Sequence, residues 1–262
     1  MTLNELFSSF LVAYLAKELE LTGSAFYALY AVGAVLCIVI PYLLGSLNFA
    51  IIISKLVYKE DIRSYGSGNA GATNMLRTYG KGAAAATFLG DISKTVLAVL
   101  FGSLTLGYFH GGACIAGFFA VIGHIFPIFS HFRGGKGVAS AAAVAILMNF
   151  YSPEGLLLIG ILLLFFVIIV VGTKYVSLGS VITFLLYPLL QAKLNIAYPV
   201  QIASGAIEWH PRPYLVFLAI LTAVVIAVKH IPNLKRIHEG KESKISFRKT
   251  DKKKLDGNGE HR

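Results

Sequence analysis

Two glycine-rich segments of the chain combine residue types that bind phosphate. The first, residues 61–81, sets three glycines among serine, asparagine and threonine and then adds two cations, Arg77 and Lys81. Glycines let the backbone turn sharply and present N–H groups, short polar side chains add donors, and the cations supply charge. This segment is therefore a candidate anion-binding loop. The alternative is a flexible turn, which the same composition also favours.

The second segment, residues 123–140, places Lys136 between two glycines at the predicted start of a helix, where the helix dipole also favours phosphate. It is not a Walker A motif, because the G-x-x-x-x-G-K-[ST] spacing is absent, and a tight turn between helices explains it equally well. His124 and His131 lie in the same segment, but no carboxylate or cysteine is near them in sequence. Their aromatic neighbours favour packing over metal binding.

Two further polar segments follow predicted membrane spans. Residues 174–180 offer two serine hydroxyls and one cation, although small residues at helix contacts explain this stretch equally well. Residues 230–242 carry histidine, asparagine, arginine and glutamate side chains. A basic stretch that binds anionic lipid beside the membrane is the alternative there, and we favour it for the lysines beyond residue 243.

These segments separate long uncharged runs. Of the 262 residues, 56% are hydrophobic and only 14% are charged, against about 25% in an ordinary soluble domain. The runs approach or exceed the length of about 17–25 residues that crosses a bilayer as a helix. The sequence therefore predicts an all-α integral membrane protein with seven transmembrane helices, at residues 27–54, 82–108, 112–130, 137–152, 155–172, 177–192 and 213–230.

The positive charges predict how these helices are oriented. With the N-terminus outside, nineteen of the 23 lysine and arginine residues fall on the inner side, and only Lys17, Lys193 and Arg212 fall outside. By the positive-inside rule the N-terminus is outside, the C-terminus is cytoplasmic, and the four polar segments face the cytoplasm. Because the net charge of +10 lies mostly in short loops and a basic tail, it indicates a membrane surface and not a nucleic-acid partner.

The apolar runs themselves hold few groups that could do chemistry. Cys37 and Cys114 both lie inside them, which supports neither a disulfide nor a cysteine metal site. Asp91 and Lys94 are three residues apart on one predicted helix, and we expect them to pair because an unpaired charge in the bilayer is costly. A secondary transporter would normally carry more such charges.

Taken together, the polar segments resemble the signature loops of a bacterial family, the PlsY family of membrane acyltransferases, which use acyl-phosphate to acylate glycerol 3-phosphate. The pattern G-S-G-N-x-G-A-T-N-x-x-R is matched from Gly66 to Arg77. The pattern G-H-x-F-P-x-F-x-x-F-K-G-G-K-G-V-A-T is matched from Gly123 to Ser140, with Arg133 and Ser140 in place of the usual Lys and Thr. The pattern H-x-x-N-x-x-R-x-x-x-G-x-E is matched from His230 to Glu242.

The resemblance covers approximately residues 30–245 and implies a compact seven-helix acyltransferase domain over residues 26–245. It implies transfer of a fatty acyl group from acyl-phosphate to the 1-hydroxyl of glycerol 3-phosphate. The products are lysophosphatidic acid and inorganic phosphate, in the first committed step of phospholipid synthesis. It implies no cofactor and no metal, and a protein that functions as a monomer among membrane lipids. The implied location is the bacterial cytoplasmic (inner) membrane, with the active site facing the cytoplasm.

Three stretches lie outside the family core, and the resemblance assigns them no role. In the N-terminal extension, residues 1–25, the stretch Leu3–Leu21 is compatible with an amphipathic helix lying on the membrane. The extended loop 195–212 is the second stretch. The third is the basic tail, residues 246–262, which we predict to be a disordered cytoplasmic appendage.

Site residues follow from the matched motifs position by position, and two more follow from the serine hydroxyls of residues 174–180. The catalytic set is His230, Asn233, Ser67, Arg77 and Lys136. The substrate-binding set is Gly68, Asn69, Thr73, Asn74, Gly134, Gly135, Gly137, Ser177 and Ser180. Arg236 and Glu242 are expected to hold the C-terminal segment against the site. His230 is the obvious side-chain general base near neutral pH, and a substrate phosphate oxygen is the alternative base.

Two other classes of protein remain as alternatives to an enzyme. An organic-anion transporter would use the same cationic loops but would need charged or broken helices near the bilayer midplane. A lipid-binding membrane scaffold would need no chemistry at all.

Overall fold

The computed structural model of the protein describes residues 11–107, 111–193, 197–201, 207–211 and 213–245. Within those residues the chain is almost entirely helical. The helices are α1 Leu11–Glu18, α2 Gly23–Gly45, α3 Phe49–Tyr58, α4 Ala72–Tyr79, α5 Lys81–Leu106, α6 Gly112–Ile125, α7 Val138–Asn149, α8 Pro153–Thr173, α9 Val176–Lys193 and α10 Pro213–His238. Short 3-10 helices lie at Ile62–Ser64 and Ile128–Ser130.

The predicted membrane character is confirmed by the lengths of these helices. The described chain contains six stretches that are long and apolar enough to cross a bilayer: Gly23–Tyr58, Lys81–Leu106, Gly112–Ser130, Pro153–Thr173, Val176–Lys193 and Tyr214–His238. The predicted span 137–152 forms α7, which has only 12 residues. At about 1.5 Å per residue it covers about 18 Å of a hydrocarbon core that is about 30 Å thick. A count of seven complete crossings therefore stays a prediction.

The first predicted span, residues 27–54, is two helices and not one. The chain leaves helical geometry between α2 and α3, where Asn48 takes an extended backbone conformation and its side chain accepts a hydrogen bond from the N–H of Ile51, at 3.0 Å. An asparagine in this position satisfies an amide that the new helix would otherwise leave unpaired. The interruption brings main-chain groups of residues 46–48 next to the polar segments described below.

The loop 195–212 contains a feature that the all-α expectation missed. Strands β1 Ala197–Gln201 and β2 Ile207–Pro211 pair in antiparallel register, from Ala197 opposite Pro211 to Gln201 opposite Ile207. After it, α10 runs two turns beyond the predicted boundary at residue 230. Residues 230–238 are consequently helical, whereas the sequence patterns treated them as a segment following the last span.

The N-terminal extension is partly described and is packed against the bundle. Val12 and Ala16, one helical turn apart on α1, are 3% and 6% exposed, and Val12 joins Cys37 and Leu106 in a small apolar cluster. Residues 1–10 and the predicted tail 246–262 lie outside the described part of the chain. The main core lies between α6, α7, α8, α9 and α10, around Val121, Ile125, Ala141, Leu158, Phe184, Ala223 and Ile226.

Candidate active site

The first glycine-rich segment is shaped by a single asparagine side chain. Asn74, on α4, donates through Nδ2 to the carbonyl oxygens of Ile62 at 3.3 Å and Tyr65 at 2.9 Å. Its Oδ1 accepts from the N–H of Ser67 at 3.0 Å. At Gly66, where φ is +59°, a β-carbon would collide with this same Oδ1. The buried amide of Asn74 thus uses its hydrogen bonds to hold the loop in shape. The structure therefore gives Asn74 a structural role in the loop and not the predicted contact with substrate.

The remaining predicted residues of this loop stand at its rim. Ser67 is exposed, and Gly68, Asn69 and Thr73 are half-buried. Thr73 is the second residue of α4, so its main-chain N–H belongs to the helix N-terminus, where anions are favoured. These four residues can be reached by a small ligand.

Glu242 and its neighbour Ser243 connect three of the polar segments. The Oε1 atom of this carboxylate accepts from Asn233 Nδ2 at 2.7 Å and from Ser177 Oγ at 3.1 Å, and Oε2 accepts from Arg236 Nε at 2.9 Å. Arg77 of the first segment donates to the carbonyl oxygen of Ser243, at 3.0 Å. The supporting role predicted for Arg236 and Glu242 agrees with this geometry.

The hydrogen bonds of Ser177 and Ser180 give these two residues a structural role. Ser177 holds the carboxylate of Glu242, so its hydroxyl is engaged with the protein. Ser180 donates to the carbonyl oxygen of Val176 at 2.8 Å, within its own helix, and is 1% exposed. Both serines were predicted to bind substrate because of their hydroxyl groups. In the structure Ser180 bonds within α9, and Ser177 bonds α9 to the C-terminal segment.

Electrostatics of the carboxylate follow from these partners. Burial by itself would raise the pKa of Glu242, but hydrogen bonds from Asn233 and Arg236 and the charge of Arg236 outweigh it. The pKa is therefore held below its ordinary value, and Glu242 is ionised at neutral pH.

Lys136 is the cation of the second glycine-rich segment, and within the described chain it makes no hydrogen bond or ion pair. Burial lowers the pKa of its ammonium group to about 8; Arg236 and Arg77 act in the same direction, and Glu242 opposes them. The three cations and one carboxylate that interact here leave an excess of positive charge. This excess suits an anion that carries two negative charges, such as a phosphate monoester.

His230 faces the same region from α10 and is 1% exposed. Its Nδ1 lies 2.8 Å from the carbonyl oxygen of Ile226, one helical turn earlier. Because a carbonyl oxygen can only accept, Nδ1 carries the proton and Nε2 keeps a lone pair in the neutral ring. The side chain is within electrostatic range of Lys136 and Glu242.

The glycines of the second segment let its backbone lie directly on neighbouring groups. A β-carbon at Gly135 would collide with the ring of His124 and would lie 2.8 Å from the carbonyl oxygen of Ala70, in the first segment. Gly134 sits against the carbonyl oxygen of His124, and Gly137 has a φ of +81° at the start of α7. The two glycine-rich segments therefore contact each other at Gly135.

Sequence reasoning missed one connection between these loops. Arg63 forms a two-pronged pair with Asp61, at 3.0 and 2.7 Å, and donates to the carbonyl oxygen of Ser130 at 3.2 Å. Its hydrogen bond and charge hold the pKa of Asp61 below the usual value. Two charges separated by one residue have no distinctive spacing, so the pattern gave no signal for this role.

The arrangement as a whole defines a class of protein. It is an α-helical membrane protein in which two glycine-rich cationic loops, a carboxylate-centred network and a neutral histidine converge on one site. Among the described residues, no group of three or more histidine, cysteine, aspartate or glutamate side chains is placed to share a metal ion.

Comparison with known proteins identifies the family. The model of the glycerol-3-phosphate acyltransferase family matches residues 35–240. Glycerol-3-phosphate acyltransferases of Thermoanaerobacter pseudethanolicus and Photobacterium profundum are 42% and 40% identical, over 81% and 84% of this chain and 96% and 97% of their own lengths. The chain belongs to the glycerol-3-phosphate acyltransferase family, and the resemblance to the PlsY family is confirmed.

Solved structures agree with this assignment. The structure of PlsY, an integral membrane glycerol 3-phosphate acyltransferase, in its glycerol 3-phosphate form matches with a TM-score of 0.67 and 30% identity. The match covers 81% of this chain and 96% of that one. The lysophosphatidic acid form of PlsY matches with a TM-score of 0.65 and 29% identity.

Proposed function

We propose that the protein transfers a fatty acyl group from acyl-phosphate to the 1-hydroxyl of glycerol 3-phosphate. The products would be lysophosphatidic acid and inorganic phosphate. The observation that carries this proposal is the convergence of Arg77 and Lys136, from separate glycine-rich loops, on the network around Glu242. Both substrates bear a phosphate, and two cationic loops suit two phosphates. The names of the related proteins support glycerol 3-phosphate as the acceptor.

The reaction needs positioning and charge stabilisation more than a protein nucleophile. The hydroxyl oxygen of glycerol 3-phosphate attacks the acyl carbonyl carbon, a C–O bond forms, and the bond from the acyl carbon to the phosphate oxygen breaks. Phosphate is a good leaving group, so orientation of the two substrates and stabilisation of the oxyanion supply much of the acceleration. The proton of the hydroxyl passes to Nε2 of His230, which has its lone pair free, or to a phosphate oxygen of substrate.

Most of the predicted residues have a place in this scheme, whereas Asn74, Ser177 and Ser180 bond to the protein itself. Arg77 and Lys136 bind phosphate charge, with the rim residues of the first loop, Ser67, Gly68, Asn69 and Thr73, and the glycines Gly134, Gly135 and Gly137 of the second. Asn233, which is held by Glu242, would lie beside the reacting groups. The acyl chain would lie between helices and arrive laterally from the bilayer. The protein is proposed to work as a monomer.

One assay separates this enzyme from a transporter and from a lipid-binding scaffold. Detergent-purified protein is incubated with acyl-phosphate and glycerol 3-phosphate, and phosphate and lysophosphatidic acid are both measured. Only the proposed enzyme releases phosphate in proportion to lysophosphatidic acid, and only when both substrates are present. Release of phosphate without the lipid product, or no release, would refute the proposal.

The proposed orientation places the site on the cytoplasmic side of the bacterial inner membrane, with the N-terminus outside. We expect a cysteine introduced at Gly111 to react with an impermeant thiol reagent added to intact cells. A cysteine introduced at the exposed Ser64 should react only after the cells are opened. Labelling of the residue-64 variant in sealed cells would reverse the orientation.

The lowered pKa of Lys136, about 8, predicts a pH effect on substrate binding. As pH rises through this value the free protein loses the ammonium charge, so kcat/KM for the phosphate substrate that it binds should fall above about pH 8. In a Lys136→Arg variant the cation does not titrate in this range. Its kcat/KM should lack that falling limb, even if its absolute activity is lower. The same limb in the variant would assign the titration to another group.

A further inference from the structure

Three buried charged or titratable side chains lie beneath the two loops, and the proposed reaction leaves them unused. The Nζ atom of Lys94 is 2.8 Å from Asp91 Oδ1 and 3.0 Å from His124 Nδ1, and His124 Nδ1 is 3.3 Å from the same Asp91 oxygen. The exposed fraction of each side chain is 4% or less. We call these residues, from α5 and α6, the buried cluster. The predicted pairing of Asp91 with Lys94 is confirmed, and His124 is an unforeseen third member.

The hydrogen bonds of the cluster fix its protonation. The third short contact of Lys94 Nζ is with the carbonyl oxygen of Leu47, at 2.7 Å. An ammonium group has three N–H donors and no acceptor, so Lys94 can only donate to His124 Nδ1; its contact with Asp91 Oδ1 is an ion pair, and among the described residues no hydrogen bond reaches that oxygen. The Nδ1 atom of His124 therefore accepts from Lys94, and the ring carries its proton on Nε2.

The far edge of the histidine ring supports the second loop. Nε2 of His124 lies directly against Gly135, where a β-carbon would collide with it. The N–H of Gly135 donates to the carbonyl oxygen of His124 at 3.2 Å. Gly135 is the neighbour of Lys136, so a movement of the ring would move the cation that is proposed to hold phosphate.

The cluster also reaches the first loop. Lys94 binds the carbonyl oxygen of Leu47 at the break between α2 and α3. The next residue, Asn48, donates to the carbonyl oxygen of Ala70 at 3.2 Å, and this carbonyl oxygen lies beside Gly135 on the same side as the ring of His124. Two series of contacts thus lead from the buried cluster to Gly135, one through the ring of His124 and the other through residues 47, 48 and 70.

We infer that Asp91, Lys94 and His124 are positioning residues that fix the separation of the two phosphate-binding loops. The inference deepens the proposed function and rests on it. Replacing a buried ion pair by apolar residues of similar volume often costs no stability. A gain in stability therefore does not explain the cluster well, whereas a fixed geometry at Gly135 does. A displacement of about 1 Å at such a site can cost about a hundredfold in rate.

A double variant separates positioning from a merely structural role. Lys94→Met leaves the carboxylate of Asp91 buried and unpaired, and it should lower the Tm. Asp91→Leu combined with Lys94→Met removes both charges and should restore the Tm towards the wild-type value. We expect the double variant still to bind inorganic phosphate about tenfold to a hundredfold more weakly than wild type, measured by calorimetry in detergent. Its KM for glycerol 3-phosphate should rise in parallel.

A second variant and a control complete the test. His124→Asn keeps an acceptor for Lys94 and removes the ring edge beneath Gly135, so it should weaken phosphate binding with a small change in Tm. Ser103→Ala deletes a buried hydroxyl on the same helix and should leave phosphate binding unchanged. If the double variant and His124→Asn, or His124→Asn alone where the double variant does not fold, bind phosphate within about threefold of wild type, the inference is wrong.

The phosphate measurement also distinguishes this inference from the proposed reaction. If wild-type protein binds phosphate but does not acylate glycerol 3-phosphate, the proposed function fails and the cluster can still be judged on phosphate affinity. If wild-type protein acylates glycerol 3-phosphate but does not bind phosphate, the proposed function stands and the positioning inference fails.

Discussion

Replacing His230 with asparagine is expected to lower kcat by about two to four orders of magnitude, which is the usual contribution of a general base. Asparagine offers an amide N–H in place of the Nδ1–H that contacts the carbonyl oxygen of Ile226, and it removes the Nε2 lone pair. The protein should therefore fold normally, with the thermal transition and helical content of the wild type. The measurement is the initial rate of lysophosphatidic acid formation with both substrates saturating.

His230→Gln is the matched comparison. Glutamine can place an oxygen acceptor near the position of Nε2, but this oxygen has no useful basicity. If proton abstraction is the role of His230, both variants are slow. A glutamine variant within a few fold of wild type would show that a hydrogen bond suffices, and that a phosphate oxygen of substrate takes the proton.

Replacing Lys136 with methionine, or Arg77 with lysine, should lower kcat/KM by about tenfold to a few hundredfold. A hydrogen bond to a charged group contributes about 1.5–3 kcal/mol, and each factor of ten corresponds to about 1.4 kcal/mol. Methionine keeps much of the lysine stem without the charge, and lysine keeps the charge of Arg77 without its two-pronged geometry. For at least one variant the loss should be a raised KM for glycerol 3-phosphate at saturating acyl-phosphate.

Lys241→Met is the control for overall charge. The side chain of Lys241 is 72% exposed and pairs with Glu239, so its removal changes the net charge by the same amount as Lys136→Met without touching the site. Its kinetics should match the wild type. Wild-type kinetics for both substrates in both Lys136→Met and Arg77→Lys would mean that the glycine-rich loops are structural turns.

The sequence predicted the helical membrane fold but not its interruptions. Long uncharged runs have one stable solution in a bilayer, because every backbone polar group must be satisfied within the helix. The break before Asn48 and the short α7 occur inside uncharged runs, so hydropathy did not mark them, although Gly45, Ser46 and Asn48 are residue types that favour helix ends. The hairpin at residues 197–211 depends on pairing between two short strands, which a hydropathy pattern does not report.

The sequence predicted which polar residues lie in this region better than it predicted the role of each residue. The spacing of glycines and cations predicted Arg77 and Lys136 as phosphate-binding cations of two loops, and the structure brings the two charges within electrostatic range of each other. It could not show that Asn74 and Ser177 spend their hydrogen bonds on the protein, because short polar side chains look alike whether they hold a loop or a ligand. The position of His124 under Gly135 depends on how α6 crosses α5, and so lies beyond any local pattern.

The position of Glu242 near the C-terminal end of the described chain affects when the site can form during synthesis. The ribosome adds about 5–20 residues per second, so Glu242 is made roughly 5–20 s after Lys136. Until then the growing chain holds its cationic loops in the membrane without the carboxylate that Asn233, Ser177 and Arg236 share. A chain released early would therefore be inserted but incomplete at the site, and activity would begin only when synthesis has passed residue 242.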